Sequence, residues 1–118
     1  MNQVRCNLIV IRSHQAEQAS SFYSALGLEF LKHRHGNGPE HYAAELENCT
    51  FEIYPLAADA PPTTETRIGF AVSDVETAFS DLLRAGGKSI RPPKPSAWGL
   101  RAVVSDLDGH RIELTQTQ

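Results

Sequence analysis

Two glutamates in strand-like sequence, one arginine and a trio of histidines are the residues of this 118-residue chain whose types and spacing could do chemistry. In the stretch from Arg111 to Thr115, Ile112 and Leu114 share one strand face, and Glu113 stands on the other with Arg111 and Thr115. Phe51 and Ile53 likewise share a face, and Glu52 and Tyr54 take the opposite one. The apolar faces need helices to cover them, so both carboxylates are expected on the open side. There a carboxylate can act as a base, hold a cation or pair with a guanidinium such as that of Arg67. His33 and His35 share a face at i, i+2, with His41 across a turn, so three imidazoles could converge on zinc. Arg34 and the Gly36–Pro39 turn beside them read as an exposed rim, and solvated histidines are the expectation. Tyr42, Tyr54 and Trp98 pair an aromatic body with a polar tip, which suits a ligand pocket or plain packing. His14 belongs to a helix N-terminus and His110 to a turn, neither with a catalytic role. No Ser–His–Asp order or phosphate loop is visible.

The elements that position these residues occur twice. Asn7–Arg12 reads as a strand, and Ser13 or His14 can cap a helix with Ala19, Phe22, Tyr23 and Leu26 on one face. Gly27 closes that helix. Strands follow at Glu29–Arg34, His41–Leu46 and Thr50–Tyr54, the first two joined through Gly36-Asn37-Gly38-Pro39. At an offset of about 60 the order recurs: a strand at Arg67–Val72, then a capping box of Ser73 and Glu76. A helical stripe of Val75, Ala78, Phe79, Leu82 and Leu83 ends at Gly86-Gly87. A short strand at Lys88–Arg91, a stiff Pro92–Pro95 loop that could act as a lid carrying Trp98, and strands at Leu100–Val104 and His110–Thr115 complete it. The chain is thus expected to be one α+β domain over residues 1–118. Module one covers about 4–56, a linker 57–65 and module two about 66–116. Neither half is long enough to bury a good core alone.

Composition narrows the classes further. Hydrophobic residues at 41% and charged residues at 21% are ordinary for a globular protein and argue against disorder. Eleven basic and 14 acidic residues, with no basic block, argue against a phosphate-tracking nucleic-acid binder. No apolar run approaches the roughly 20 residues of a membrane span, and no signal peptide is read. Cys6 and Cys49, far apart and without a CxxC, read as reduced thiols of a cytoplasmic protein, with Cys6 expected buried and inert.

Two β-α-β-β-β modules in one short chain resemble the vicinal oxygen chelate superfamily of glyoxalase I, bleomycin- and fosfomycin-resistance proteins and extradiol dioxygenases. The resemblance rests on Phe22–Leu28 (FYSALGL), on Phe70–Glu76 (FAVSDVE), and on Trp98-Gly99 with Asp106–Leu114 (DLDGHRIEL). It implies that each module curls into part of a cup-shaped mixed sheet, often completed in a homodimer. It also implies a divalent ion held by His or Gln on the first strand and Glu on the fourth strand of each module.

Carried over residue by residue, Glu52 and Glu113 match the two glutamates. The other two positions depart from the pattern, since the counting places Arg67 and Asn7 there. A guanidinium has no lone pair to offer a metal. The expectation is therefore no usual metal and no cofactor, with a weakly held divalent ion at Glu52 and Glu113 as the remaining option. Arg67 is placed to bridge Glu113, Glu52 or both. The expected function is binding of a small organic molecule in a cup lined by Asn7, Glu52, Tyr54, Arg67, Trp98 and Glu113, with nucleic acid and membrane excluded as partners. The alternative is a glyoxalase-like lyase or isomerase, or a dioxygenase, with Glu113 or Glu52 as base and Arg67 stabilising an oxyanion.

Overall fold

The structure, a computed structural model, describes residues 3–117. Strand β1 (Leu8–Ser13), helix α1 (Ala16–Ser24) and strands β2 (Phe30–His33), β3 (His41–Leu46) and β4 (Cys49–Pro55) form the first module. Strand β5 (Arg67–Val72), helix α2 (Val75–Arg84) and strands β6 (Lys88–Ser96), β7 (Gly99–Ser105) and β8 (Arg111–Gln116) form the second. Each module makes a four-stranded sheet of the same order, β1-β4-β3-β2 and β5-β8-β7-β6. In both, the first strand pairs parallel with the fourth and the other pairs are antiparallel, so the α+β, twice-repeated mixed sheet is as expected.

Burial alternates along the strands as their sequences dictate. Ile11, Phe51 and Ile53 of the first sheet and Ile68, Phe70, Ile112 and Leu114 of the second face a single core. Phe22 and Tyr23 of α1 and Val75 and Leu82 of α2 fill it, with Tyr23 and Phe51 edge to face at 5.0 Å. Each of these side chains contributes about 1.5–3 kcal/mol by leaving water. The close fit at Gly87 shows how tightly the modules meet: a Cβ there would lie 2.9 Å from the Phe22 ring and 2.8 Å from Val104.

A buried hydrogen-bonded latch joins the modules at the β7–β8 turn. The Asp106 carboxylate accepts the backbone N–H groups of Asp108, Gly109 and His110 at 2.8–2.9 Å on one oxygen. On the other it accepts the Tyr23 hydroxyl at 2.7 Å and His110 Nδ1 at 2.8 Å. Ser13 donates to Asp108 at 2.7 Å, and His110 Nε2 reaches the Thr63 hydroxyl at 2.6 Å. Burial alone would raise the Asp106 pKa, but hydrogen bonds from His110 and Tyr23 hold it below the usual range. Burial, reinforced by the Asp106 charge, pushes the Tyr23 phenol well above its ordinary value, so it stays a donor.

Several local expectations shift. Helix α1 begins after Gln15, whose N–H is taken by the Ser13 hydroxyl, so neither Ser13 nor His14 is its cap residue. Helix α2 is capped by Asp74, which accepts from Thr77 N–H at 3.1 Å, one residue later than a Ser73–Glu76 box. The segment read as a short strand and a proline loop is one edge strand, β6, with register shifts between Ser89 and Lys94. An edge strand tolerates proline because its outward N–H has no ladder partner to lose, and bulges absorb the rest. The lid is therefore absent, and Trp98 sits in the β6–β7 turn, 75% exposed. Cys6 is exposed rather than buried, and its thiol lies beside that of Cys49, whose pKa is raised by burial first and by Cys6 second. No described helix is long and apolar enough to cross a membrane.

Candidate functional site

The sheet faces turned away from the shared core carry the chemistry, one face per module. In module two, register sets Arg67 beside Arg111 and Gly69 beside Glu113. Across the β7–β8 ladder, Val103 lies opposite Glu113 and Arg101 opposite Thr115. Arg91 pairs with Val103 and Lys94 with Arg101, so both point to the same face. One carboxylate, Glu113, thus sits among the cations Arg67, Arg91, Lys94, Arg101 and Arg111. Glu113 Oε1 accepts from Arg101 Nη2 and, at 3.4 Å, from Arg67 Nη1. The Arg101 hydrogen bond is the main reason its carboxyl titrates below the usual range, with the Arg67 charge a weaker helper. A cleft of about 450 Å³ opens beside Arg101, which lines it together with residues 90–96 of β6.

In module one the same strands carry a different set. Leu8, Val10 and Arg12 of β1 lie beside Thr50, Glu52 and Tyr54 of β4. Ala43 comes opposite Glu52, and Leu31 and His33 of β2 pair with Ala43 and His41 of β3. The His41 ring stacks on Tyr54 at 4.2 Å, and Arg12 lies over the same tyrosine at 5.3 Å. His41 Nδ1 is 3.2 Å from the Pro39 carbonyl, and Nε2 faces Glu52 Oε2 at 3.6 Å. The rings of His33 and His35 stand 6.0 and 5.2 Å from His41, so the three imidazoles gather, and His41 is 1% exposed rather than solvated.

The expected single cup is therefore divided. Glu52 and Tyr54 meet on module one, Arg67 and Glu113 on module two, and no ion pair joins Arg67 to Glu52 among the described residues. Asn7 drops out by a one-residue slip, which reverses the face of a strand position. Register makes Leu8 the counterpart of Arg67, since Leu8 pairs with Thr50 as Arg67 does with Arg111. The offset is thus 67 − 8 = 59 for the first strands and 111 − 50 = 61 for the last. Trp98 lies outside the cleft lining, and Tyr42 pairs with Ile53 on the core side of its sheet. Arg101 is the candidate site residue that the sequence reading missed. Its alternation with Val103 along β7 was the available signal. Among the described residues only Asp106, Asp108 and His110 bring three ligand atoms within 4.8 Å of one another, and the latch already occupies them.

Residues 5–114 match the family model of the Glyoxalase/Bleomycin resistance protein/Dioxygenase superfamily. The chain belongs to that superfamily. Solved structures of the same fold include TnmS3, an antibiotic binding protein from Streptomyces sp. CB03234. It is 23% identical with a TM-score of 0.79, covering 100% of this chain and 99% of its own. TioX from Micromonospora sp. ML1 is 20% identical with a TM-score of 0.75, over 98% of this chain and 100% of its own. A superfamily enzyme from Burkholderia phytofirmans PsJN is 13% identical with a TM-score of 0.78, over 95% and 98%. Among curated protein sequences none matches this chain. The superfamily's usual metal does not fit the residues present. The first-strand positions hold Leu8, which has no donor atom, and Arg67, a fixed cation, while both arginines already claim Glu113.

Proposed function

We propose that this superfamily member binds a small organic molecule on the module-two cup, receiving an anionic or carbonyl oxygen between Arg67 and Arg101 without a divalent ion at the usual positions. The observation that carries the reading is the concentration of cations around Glu113 in a chain whose overall net charge is −3. One carboxylate cannot neutralise two guanidinium groups that both point at it, so the face keeps positive charge for an incoming oxygen. Gly69 beside Glu113 has no side chain to crowd the carboxylate, and a Cβ there would come only to 3.9 Å from the Glu113 carbonyl oxygen. The antibiotic-binding role of TnmS3 supports a binding protein on this fold. Large apolar side chains on the outward sides, Leu8 and Leu31 at 52% and 65% exposed, support a homodimer that closes the cups.

A thermal-shift panel of small carboxylates, phosphates and keto acids tests this, because a ligand selecting the folded state raises its apparent stability. At least one anion should raise the melting temperature of the natural protein, and Arg101→Ala should abolish the rise. A rise that survives Arg101→Ala and Arg67→Ala together would reject the site.

A second reading is favoured by one observation: among the described residues Glu52 has no arginine partner, and it keeps partial access, its side chain 17% exposed. That leaves it able to take a proton beside a carbonyl in a lyase or isomerase reaction. Turnover of a keto substrate lost in Glu52→Gln but kept in Glu113→Gln would favour it, and unchanged turnover in Glu52→Gln would discard it.

A further inference from the structure

The partner that Glu52 lacks points to a second site. The Pro39 carbonyl can only accept, so the 3.2 Å contact places a proton on His41 Nδ1. In the neutral ring that leaves a lone pair on Nε2. This nitrogen is buried and has no hydrogen-bond partner. It confronts a Glu52 oxygen at 3.6 Å, beyond hydrogen-bonding distance. Two electron-rich atoms facing each other, one of them buried, repel unless positive charge stands between them. In module two the equivalent strand position supplies it, because Arg101 lies opposite Thr115 as His41 lies against Tyr54. In module one the nearby cations are occupied: Arg12 lies over Tyr54, and Lys32 and Arg34 each pair with Glu40 at 3.3 Å.

A proton on Nε2 would balance Glu52, but it would not account for two more imidazoles stacked beside the His41 ring. The three ring centres are 5.2 to 6.0 Å apart. A tetrahedral ion holding imidazole nitrogens at about 2.0–2.1 Å sets ring centres roughly 5 Å apart. We infer that His41 Nε2, Glu52, His33 and His35 form a binding site for a borderline divalent metal ion such as Zn²⁺. Of the superfamily's own ligand positions it uses only Glu52. Nitrogen donors with one carboxylate suit such an ion better than magnesium or calcium. The Pro39 carbonyl is the outer contact that fixes the tautomer and aims the His41 ring. His41 and Glu52 supply the fixed half. The rings are near parallel, at 8° to 33°, so His33 and the exposed His35 close the site by turning about their side-chain torsions.

Calorimetric titration of chelator-stripped protein with zinc chloride tests the site. One ion per chain is expected, with at least about a 100-fold loss of affinity in His41→Gln. Because His41 is buried, the His33→Ala, His35→Ala double variant guards against a folding artefact. It alters the hairpin outside the core, should melt like the natural protein without zinc, and should lose roughly tenfold or more in affinity. No stoichiometric uptake by the natural protein, or uptake unchanged in the double variant, would overturn the inference. The anion site is judged separately, since Arg101→Ala should remove anion binding and leave zinc uptake in place.

Discussion

The two cups are built on the same strands in the same order, and they hold opposite chemistry. Glu52 and Glu113 occupy equivalent positions on β4 and β8. Around Glu113 stand permanent cations, Arg101 and Arg67, and a glycine that leaves space. Around Glu52 stand titratable or apolar groups, with His41 where module two has Arg101, Leu8 where it has Arg67 and Val10 where it has Gly69. The difference teaches that the repeat fixes where a carboxylate is presented, while its neighbours decide what the carboxylate can do. A guanidinium cannot give up its charge or donate a lone pair, so module two presents fixed positive charge. An imidazole can do both, so module one is open to cations.

The largest effect is expected where the comparison depends on both modules keeping one core. Asp106→Ala removes a buried carboxylate that holds Tyr23, His110 and three backbone N–H groups, and should cost about 3–5 kcal/mol in urea unfolding. The same network predicts an acid limb. Because the folded pKa of Asp106 is lowered, its stabilisation is full above the unfolded value near ~3.9 and is lost as pH falls through the lower folded value. Asp106→Asn should flatten that limb.

Next in size is a conversion of one cup toward the other. His41→Arg gives module one the cation of module two and removes the lone pair. Zinc affinity should fall at least about 100-fold, with anion binding at module two unchanged. Smaller still is the contrast between the two arginines. Arg101, 27% exposed, holds Glu113 more closely than Arg67, which is 56% exposed. Arg101→Ala should therefore remove measurable anion binding, and Arg67→Ala should weaken it by only a few-fold, because exposed pairs are screened. The smallest change is expected from Glu113→Gln, which frees both arginines and should tighten anion binding a few-fold. Acidification through the lowered Glu113 pKa should do the same while the ligand stays ionised.

Much of this was legible in the sequence where local physics dominates. Alternation in Phe51–Tyr54 and Arg111–Thr115 placed both glutamates correctly, because buried and open faces must separate at a period of two. Gly27 and Gly86, at φ of 92° and 111°, marked the helix ends for the same local reason. What failed depended on register and long-range packing. The slip from Leu8 to Asn7 came from counting at a uniform offset, where the modules differ by one residue each way. The continuation of β6 through Pro92–Pro95 depends on its edge position, which only the sheet order reveals. The three histidines could be seen to converge from i, i+2 spacing across a hairpin. The burial of His41 could not, since it goes with stacking on Tyr54 of the neighbouring strand β4, a contact set by register.

We infer that metal chemistry in this chain belongs to module one, while arginines hold the carboxylate of module two. Elemental analysis of protein purified without chelators, as the natural chain, Glu113→Gln and the His33→Ala, His35→Ala double variant, tests it most directly. The account predicts about one zinc-class ion per chain in the natural protein and in Glu113→Gln, and loss of the ion in the double variant. Metal lost in Glu113→Gln but retained in the double variant would contradict it.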